Sequence, residues 1–277
     1  MIIGILIVLG LCFGSFVNAL VWRVHQQSLP KSKRPKNTNL SIVRGRSVCV
    51  NCQHSLSHID LIPVVGWALL RGKCRYCKKS ISWQYPFIEV LTATVFVVSY
   101  LLWEFEVKGS EIVIYGLWLA VLTSLVALAL YDTKWMILPN RIMKYSFGLA
   151  FVLALATIAI RNDGYSTSII NLVLSVVISG GLFALLFYIS KGKWIGGGDV
   201  KLGFVLGFVV ATPVYACLML FIGSLLGCLV AMPAILFGSK TMQTKIPFGP
   251  FLIVATVIVY LFGREISEAY LRLLGIS

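Results

Sequence analysis

Apolar runs near 20 residues long recur along the chain, and this pattern constrains the fold more than any other feature. Each run is about enough to cross a hydrocarbon layer of roughly 30 Å as a helix, the form in which one segment satisfies all its own backbone polar groups. The runs occupy residues 1–22 and then roughly 86–103, 112–131, 143–160, 167–190, 200–212, 214–236 and 247–263. With 58% hydrophobic and only 12% charged residues, the chain is no soluble globular protein, and 34 aromatic side chains exclude disorder. The predicted fold class is an all-α polytopic membrane protein of about eight transmembrane helices. Residues 1–22 lack a basic start and a small-residue cleavage site, so a retained first helix is expected. The sixth run is short, interrupted by Gly203 and Gly207 and closed by Thr212-Pro213, which suits a tilted or re-entrant piece.

The net charge of +14 has the same origin as the runs. If the N-terminus lies outside and the spans alternate, 20 of the 24 basic residues fall on the inside, 12 of them between residues 23 and 79. Lys108, Arg161, Arg264 and Arg272 remain outside, with six of the ten acids. That split predicts both termini outside a plasma or inner membrane, and it explains the basic excess without nucleic acid as a partner. The run Lys31-Ser-Lys-Arg-Pro-Lys36 reads as a solvated loop held near the anionic leaflet, with guidance of a charged substrate tail as the alternative.

Four of the seven cysteines stand between the first two spans, as Cys49-Val-Asn-Cys52 and Cys74-Arg-Tyr-Cys77. A two-residue gap lets both thiolates of a pair face one ion, and two pairs complete a tetrahedral four-thiolate zinc shell. In a reducing cytoplasm this ribbon is favoured over disulfides. Arg71, Lys73, Arg75, Lys78 and Lys79 offset its negative charge. A closed shell has no position for water, so the metal is expected to be structural. His54 and His58 are expected to be surface or supporting groups, and Cys12, Cys217 and Cys228 to be packing residues.

Two acids stand at the expected cytoplasmic ends of spans three to six: Asp132, after Tyr131, and Asp199, after Gly196-Gly197-Gly198. An ionised Asp inside a bilayer is costly, so such a residue faces a protein interior or a wet cavity. Two carboxyls that approach each other share one proton, which is the equipment of an aspartic protease. The ionised one activates water while the protonated one donates to the scissile carbonyl. Taken singly, Asp132 could cap a loop or pair with Lys134, and Gly-Gly-Gly-Asp could be a turn before a capped helix.

These motifs together resemble the type IV prepilin peptidases, bifunctional membrane enzymes of the GxGD aspartyl protease class. The resemblance runs through Gly14-Ser15-Phe16-Val17-Asn18, Arg23, both cysteine pairs, Asp60-Leu61-Ile62-Pro63, Ile81-Ser82, Tyr85-Pro86 and Glu89. It continues through Asp132, Leu138-Pro139-Asn140, Gly196 to Lys201 and Pro247-Phe248-Gly249-Pro250. It implies removal of the basic leader of a prepilin or pseudopilin, then N-methylation of the new N-terminus with S-adenosylmethionine as donor. By motif, Asp132 and Asp199 become the catalytic pair, and Cys49, Cys52, Cys74 and Cys77 the zinc set. Val50 replaces a proline common in the first pair, and Val24-His25 replaces a Leu-Pro. No glycine-rich nucleotide fingerprint accompanies the methyl donor; Asn18 and Glu89 are its candidates, beside plain roles in helix packing and at a helix start. The expected organisation is a first transmembrane helix (1–22), a cytoplasmic basic loop (23–85) and a seven-helix peptidase core (86–277). Two other readings are a presenilin-like intramembrane protease, which would lack the cysteine loop, and a transporter using the two aspartates as ion sites.

Overall fold

The computed structural model describes the chain except residues 36–38, 43, 162–163, 237–245 and 274–277, with the backbone alone at 233–236. Among the described residues, seven helical stretches are long and apolar enough to cross a membrane. Among the described residues there is no strand, only two isolated antiparallel bridges. The chain divides into two compact units, Met1–Leu101 and Leu102–Ser277.

In the first unit, α1 (Ile2–Ser28) packs along α3 (Gln84–Leu101), with the short α2 (Val65–Leu69) between them in sequence. The helices meet where α1 has no side chain. A Cβ on Gly10 would lie 2.4 Å from Ala93 Cα, and one on Gly14 2.5 Å from Glu89 Cα. Close backbone approach through small residues is how helices associate where lipid offers no hydrophobic drive. This explains why the second long span belongs with the first rather than with the helices that follow it.

The helix α1 also continues past Arg23 to Ser28, beyond the last residue of the apolar run. The guanidinium does not end the helix because the following loop returns to wrap it. Arg23 is 7% exposed and donates to the carbonyls of Ser41, Ile42 and Gly45 at 3.2, 3.0 and 2.9 Å. Asn18 donates to Gly14 O and Tyr85 O and accepts from Gln84 Nε2 at 3.0 Å, stitching α1 to the start of α3. Buried Glu89 accepts the Val64 N–H at 2.7 Å, and Val64 sits at φ +60°, a costly conformation for a β-branched residue. Both candidate methyl-donor residues are therefore engaged in holding the first unit together.

The second unit comprises α4 (Glu111–Trp135), α5 (Asn140–Arg161), α6 (Tyr165–Val176), α7 (Leu182–Ser190), α8 (Gly197–Val210), α9 (Pro213–Leu236) and α10 (Gly249–Leu273). A π-helical segment, Val177–Gly181, joins α6 to α7 as one rod. Against this rod lies α8, and Gly203 and Gly207 let the two approach: a Cβ at Gly207 would stand 2.3 Å from Ser179 Oγ. Ser175 Oγ completes the seam by donating to Gly207 O at 2.9 Å.

The sixth apolar run is α8, and its 14 residues give a length of about 21 Å, short of the roughly 30 Å layer. Its burial explains how a short helix suffices. Leu202, Val205, Leu206, Val209 and Val210 are covered by neighbouring helices, so it need not match the hydrocarbon thickness itself. Its ends nonetheless lie at opposite ends of the unit. Asp199 stands near Asp132, whereas Val209 to Thr212 line a cavity of about 440 Å³ with Arg161, Glu104 and Arg264. Arg161 pairs there with Glu111 at 3.1 and 3.2 Å, and Arg264 with Glu104 and Glu268. One end of the unit thus carries the carboxyl pair and the other the ion pairs.

A paired-aspartate candidate site and a four-cysteine ribbon

Four separate segments of the second unit build the carboxyl site. Asp132 occupies the last turn of α4, which stops at Met136 in a left-handed cap whose N–H returns to Asp132 O at 2.7 Å. It is 5% exposed, and its Oδ2 is buried with no hydrogen-bond partner among the described residues. A carboxyl oxygen left so is costly unless it carries or receives a proton.

Asp199 is the third residue of α8, after the N-cap Gly196. Its N–H bonds to Gly196 O at 3.0 Å, and its carboxyl receives the Gly196 N–H. That reach from the third position back to the cap satisfies one of the four free amides of the helix start, and the positive end of the helix favours the carboxylate. The two carboxyls are close enough for their charges to act on each other. The structure therefore brings together the two acids that the sequence separates by two membrane crossings.

The remaining motif segments supply the walls. Gly249, the first residue of α10, turns its N–H toward the Asp132 carboxyl, and a Cβ there would lie 2.7 Å from Asp132 Oδ2. Any other residue would fill the space beside the unpaired oxygen. A Cβ on Gly198 would meet Leu138 at 3.2 Å, so the glycine lets α8 seat against the Leu138-Pro139-Asn140 turn. Lys201 Nζ donates to Asn140 Oδ1 at 2.8 Å, fixing the same turn from the other side. Gly249 and Asn140 carry no chemistry of their own that would have marked them as site residues. Only membership in the Pro-Phe-Gly-Pro and Leu-Pro-Asn motifs pointed to them.

The ribbon lies in the first unit and consists of two near-copies of one turn. Cys49 N bonds to His54 O at 2.9 Å and Gln53 N to Cys49 O at 2.9 Å; Cys74 N bonds to Lys79 O at 2.9 Å and Lys78 N to Cys74 O at 3.0 Å. Gln53 and Lys78, each just after its second cysteine, both sit at φ +59°. The bridges Val48↔Ser55 and Lys73↔Ser80 close the two turns alike. Such left-handed backbone at two non-glycine residues costs roughly 1–2 kcal/mol each, and it aims amides at sulfur. Cys49 Sγ receives the N–H of Asn51 and Cys52, and Cys74 Sγ those of Tyr76 and Cys77. Burial raises both thiols. It prevails at Cys49, whereas at Cys74 the amides and neighbouring thiols hold the value at about 7.

The four sulfurs lie within 4.8 Å of one another, with Cys49 and Cys77 at 3.9 Å. Bonds of about 2.3 Å at tetrahedral angles place sulfurs roughly 3.8 Å apart, so the set fits a zinc-sized ion. His54 packs against Tyr76 of the other turn, with ring centres 3.7 Å apart and the planes tilted by 40°, and is not one of this cluster. Asp60, whose side chain is 1% exposed, takes two bonds from Arg75 at 2.8 and 2.9 Å and ties the second turn to the approach of α2. Although burial opposes ionisation, this guanidinium and the Ser57 N–H hold its carboxyl below the usual range.

Fold and site together define a polytopic helical membrane protein with two aspartates brought together in one unit and a four-cysteine cluster that could hold a metal ion in the other. Residues 8–103 match the bacterial peptidase A24 N-terminal domain, and residues 118–232 match the type IV leader peptidase family. The chain belongs to the type IV leader peptidase family. It is 29% identical over 272 residues to a prepilin leader peptidase/N-methyltransferase of Bacillus subtilis, covering 98% of both chains. The Pseudomonas putida protein of the same name is 30% identical over 97% of this chain and 93% of its own. A type 4 prepilin-like proteins leader peptide-processing enzyme of Escherichia coli is 29% identical over 88% of this chain and 87% of its own. No solved structure matches the chain.

Proposed function

We propose that this protein removes the basic leader of a prepilin or pseudopilin at the cytoplasmic membrane face, with Asp132 and Asp199 as its catalytic pair. The observation that carries the reading is the convergence of the two carboxyls beside Gly249, with one carboxyl oxygen of Asp132 buried and unpartnered.

The helix ends divide the labour. Asp199 sits at the start of α8, where amides and dipole favour its charge, and acts as the base. Asp132 sits at the end of α4, where carbonyls disfavour a second charge, and carries the shared proton. Asp199 takes a proton from water as the oxygen attacks the scissile carbonyl, and Asp132 donates to the carbonyl oxygen. Collapse of the tetrahedral intermediate returns a proton from its hydroxyl to Asp132 and delivers the Asp199 proton to the leaving amine.

Zinc held by Cys49, Cys52, Cys74 and Cys77 would be structural, because four thiolates leave no coordination position for water. N-methylation of the new N-terminus enters from the names of the relatives. S-adenosylmethionine is the donor that the family resemblance implies. Purified protein in detergent is expected to cleave a prepilin without any ion gradient and to transfer label from methyl-labelled S-adenosylmethionine to the product. Failure to cleave in detergent, with ion flux in vesicles instead, would favour the transporter reading.

Orientation is proposed on the 20-to-4 division of basic residues, with both termini outside and both aspartates at the cytoplasmic side. In a protein lacking Cys12, Cys217 and Cys228 but keeping its ribbon thiols, we expect Lys134→Cys and Lys193→Cys to react only with reagents that reach the cytoplasm. Lys108→Cys should react from outside. Opposite-side labelling of positions 134 and 193 would part the carboxyls and end the two-aspartate mechanism.

A further inference from the structure

At the polar end of α1, the first unit holds a cavity of about 320 Å³ that the peptidase reading leaves without a role. It lies between the last turns of α1 and the first cysteine turn. Its lining carries the cations Lys33 and Arg34 and the amides Gln26 and Gln53, and no acid. Trp22 also lines it, and the Trp22 indole nitrogen is buried with no acceptor among the described residues. An indole N–H can only donate, so the chain leaves this group in need of an acceptor from elsewhere. Arg34 is fixed in place by bonds from Nε to Leu29 O at 2.8 Å and from an η nitrogen to Gln27 O at 2.6 Å, which leaves its charge and remaining N–H groups for another partner.

Every one of these groups suits an anion with several acceptor oxygens. We propose that the cavity binds the phosphate of an anionic phospholipid, with Lys33 and Arg34 neutralising its charge and Trp22 donating to an oxygen. The location selects lipid over a soluble phosphate. The cavity opens where α1 passes from apolar to polar sequence, the level at which tryptophan and basic residues meet headgroups. Bound there, the lipid would fasten the first cysteine turn to the leaflet.

Native mass spectrometry of the full-length, zinc-loaded protein, stripped of lipid and titrated with phosphatidylglycerol or phosphatidylcholine, tests this. We expect phosphatidylglycerol to be retained preferentially. Lys33→Gln should weaken that binding about fivefold, and Trp22→Phe about tenfold through loss of a donor to a charged acceptor. Zinc content should be unchanged in both variants. Lys33 is exposed, so its variant leaves the fold intact; Trp22→Phe reads the donor independently of charge. Equal retention of the two lipids, undiminished phosphatidylglycerol affinity in both variants, or displacement of the lipid by equimolar inorganic phosphate would each overturn the proposal.

Discussion

Asp132→Asn and Asp199→Asn are each expected to abolish leader removal in a protein that still inserts and folds. A positioned acid or base contributes about 10²–10⁴-fold, and a mechanism that shuttles one proton between two carboxyls loses both halves when either is removed. Asparagine is nearly isosteric with aspartate. At position 132 it keeps the packing beside Gly249, and at position 199 its amide oxygen can still accept the Gly196 N–H. The loss should therefore appear in turnover and not in thermal stability. Cleavage of a purified prepilin, scored beside a melting curve of each variant, reads both. Activity above roughly a tenth of wild type in either variant would remove that residue from the catalytic pair.

These two acids could be singled out in the sequence because carboxyls are rare at the edges of apolar spans and these two fall on the same expected side of the membrane. The wall facing them was less legible. Gly249 acts by having no side chain beside Asp132 Oδ2, an absence visible only once α10 and α4 are packed. The same holds at the other glycines. Gly10 and Gly14 decide that the second long span joins the first, and hydropathy registers nothing of this. Arg23 misleads in the opposite sense. A charge at the edge of an apolar run reads as its end, yet loop carbonyls far along the chain accept it and α1 runs on to Ser28. For α8 the run was visible and its shortness too; the burial that lets a short helix serve belongs to its neighbours.

Removing one cysteine from either turn, as Cys49→Ser or Cys74→Ser, is expected to take the purified protein from about one zinc per chain to substantially less. Structural zinc sites of four thiolates bind with apparent free energies of roughly 10–16 kcal/mol, so an ion held here would outweigh the short α2 in the folding of this loop. On the zinc assignment, two positive-φ residues and two isolated bridges would then lose the ion that offsets their cost. The remaining ribbon thiols should then alkylate readily in native buffer. The consequence for leader removal should be smaller than that of the aspartate substitutions, because the carboxyl pair is assembled wholly within Leu102–Ser277. Elemental analysis finding no metal in the wild type, with all four thiols freely alkylated, would refute the zinc assignment.

The loop between α1 and α3 is tied down by two arginines whose acceptors differ in kind. Arg75 bonds to a carboxylate, and Arg23 to three peptide carbonyls. A peptide carbonyl has no proton to gain, and a guanidinium has none it readily loses. The Arg23 tie is accordingly indifferent to acidity, and its burial shields it from salt. The Arg75 tie is a titrating one. Asp60 is held below its ordinary value, so this contribution is complete above the unfolded carboxyl range and is lost as pH falls through the lowered one. Acid would thus release the outer part of the loop while its root stays fixed, giving one segment an acid-labile fastening and an acid-proof hinge.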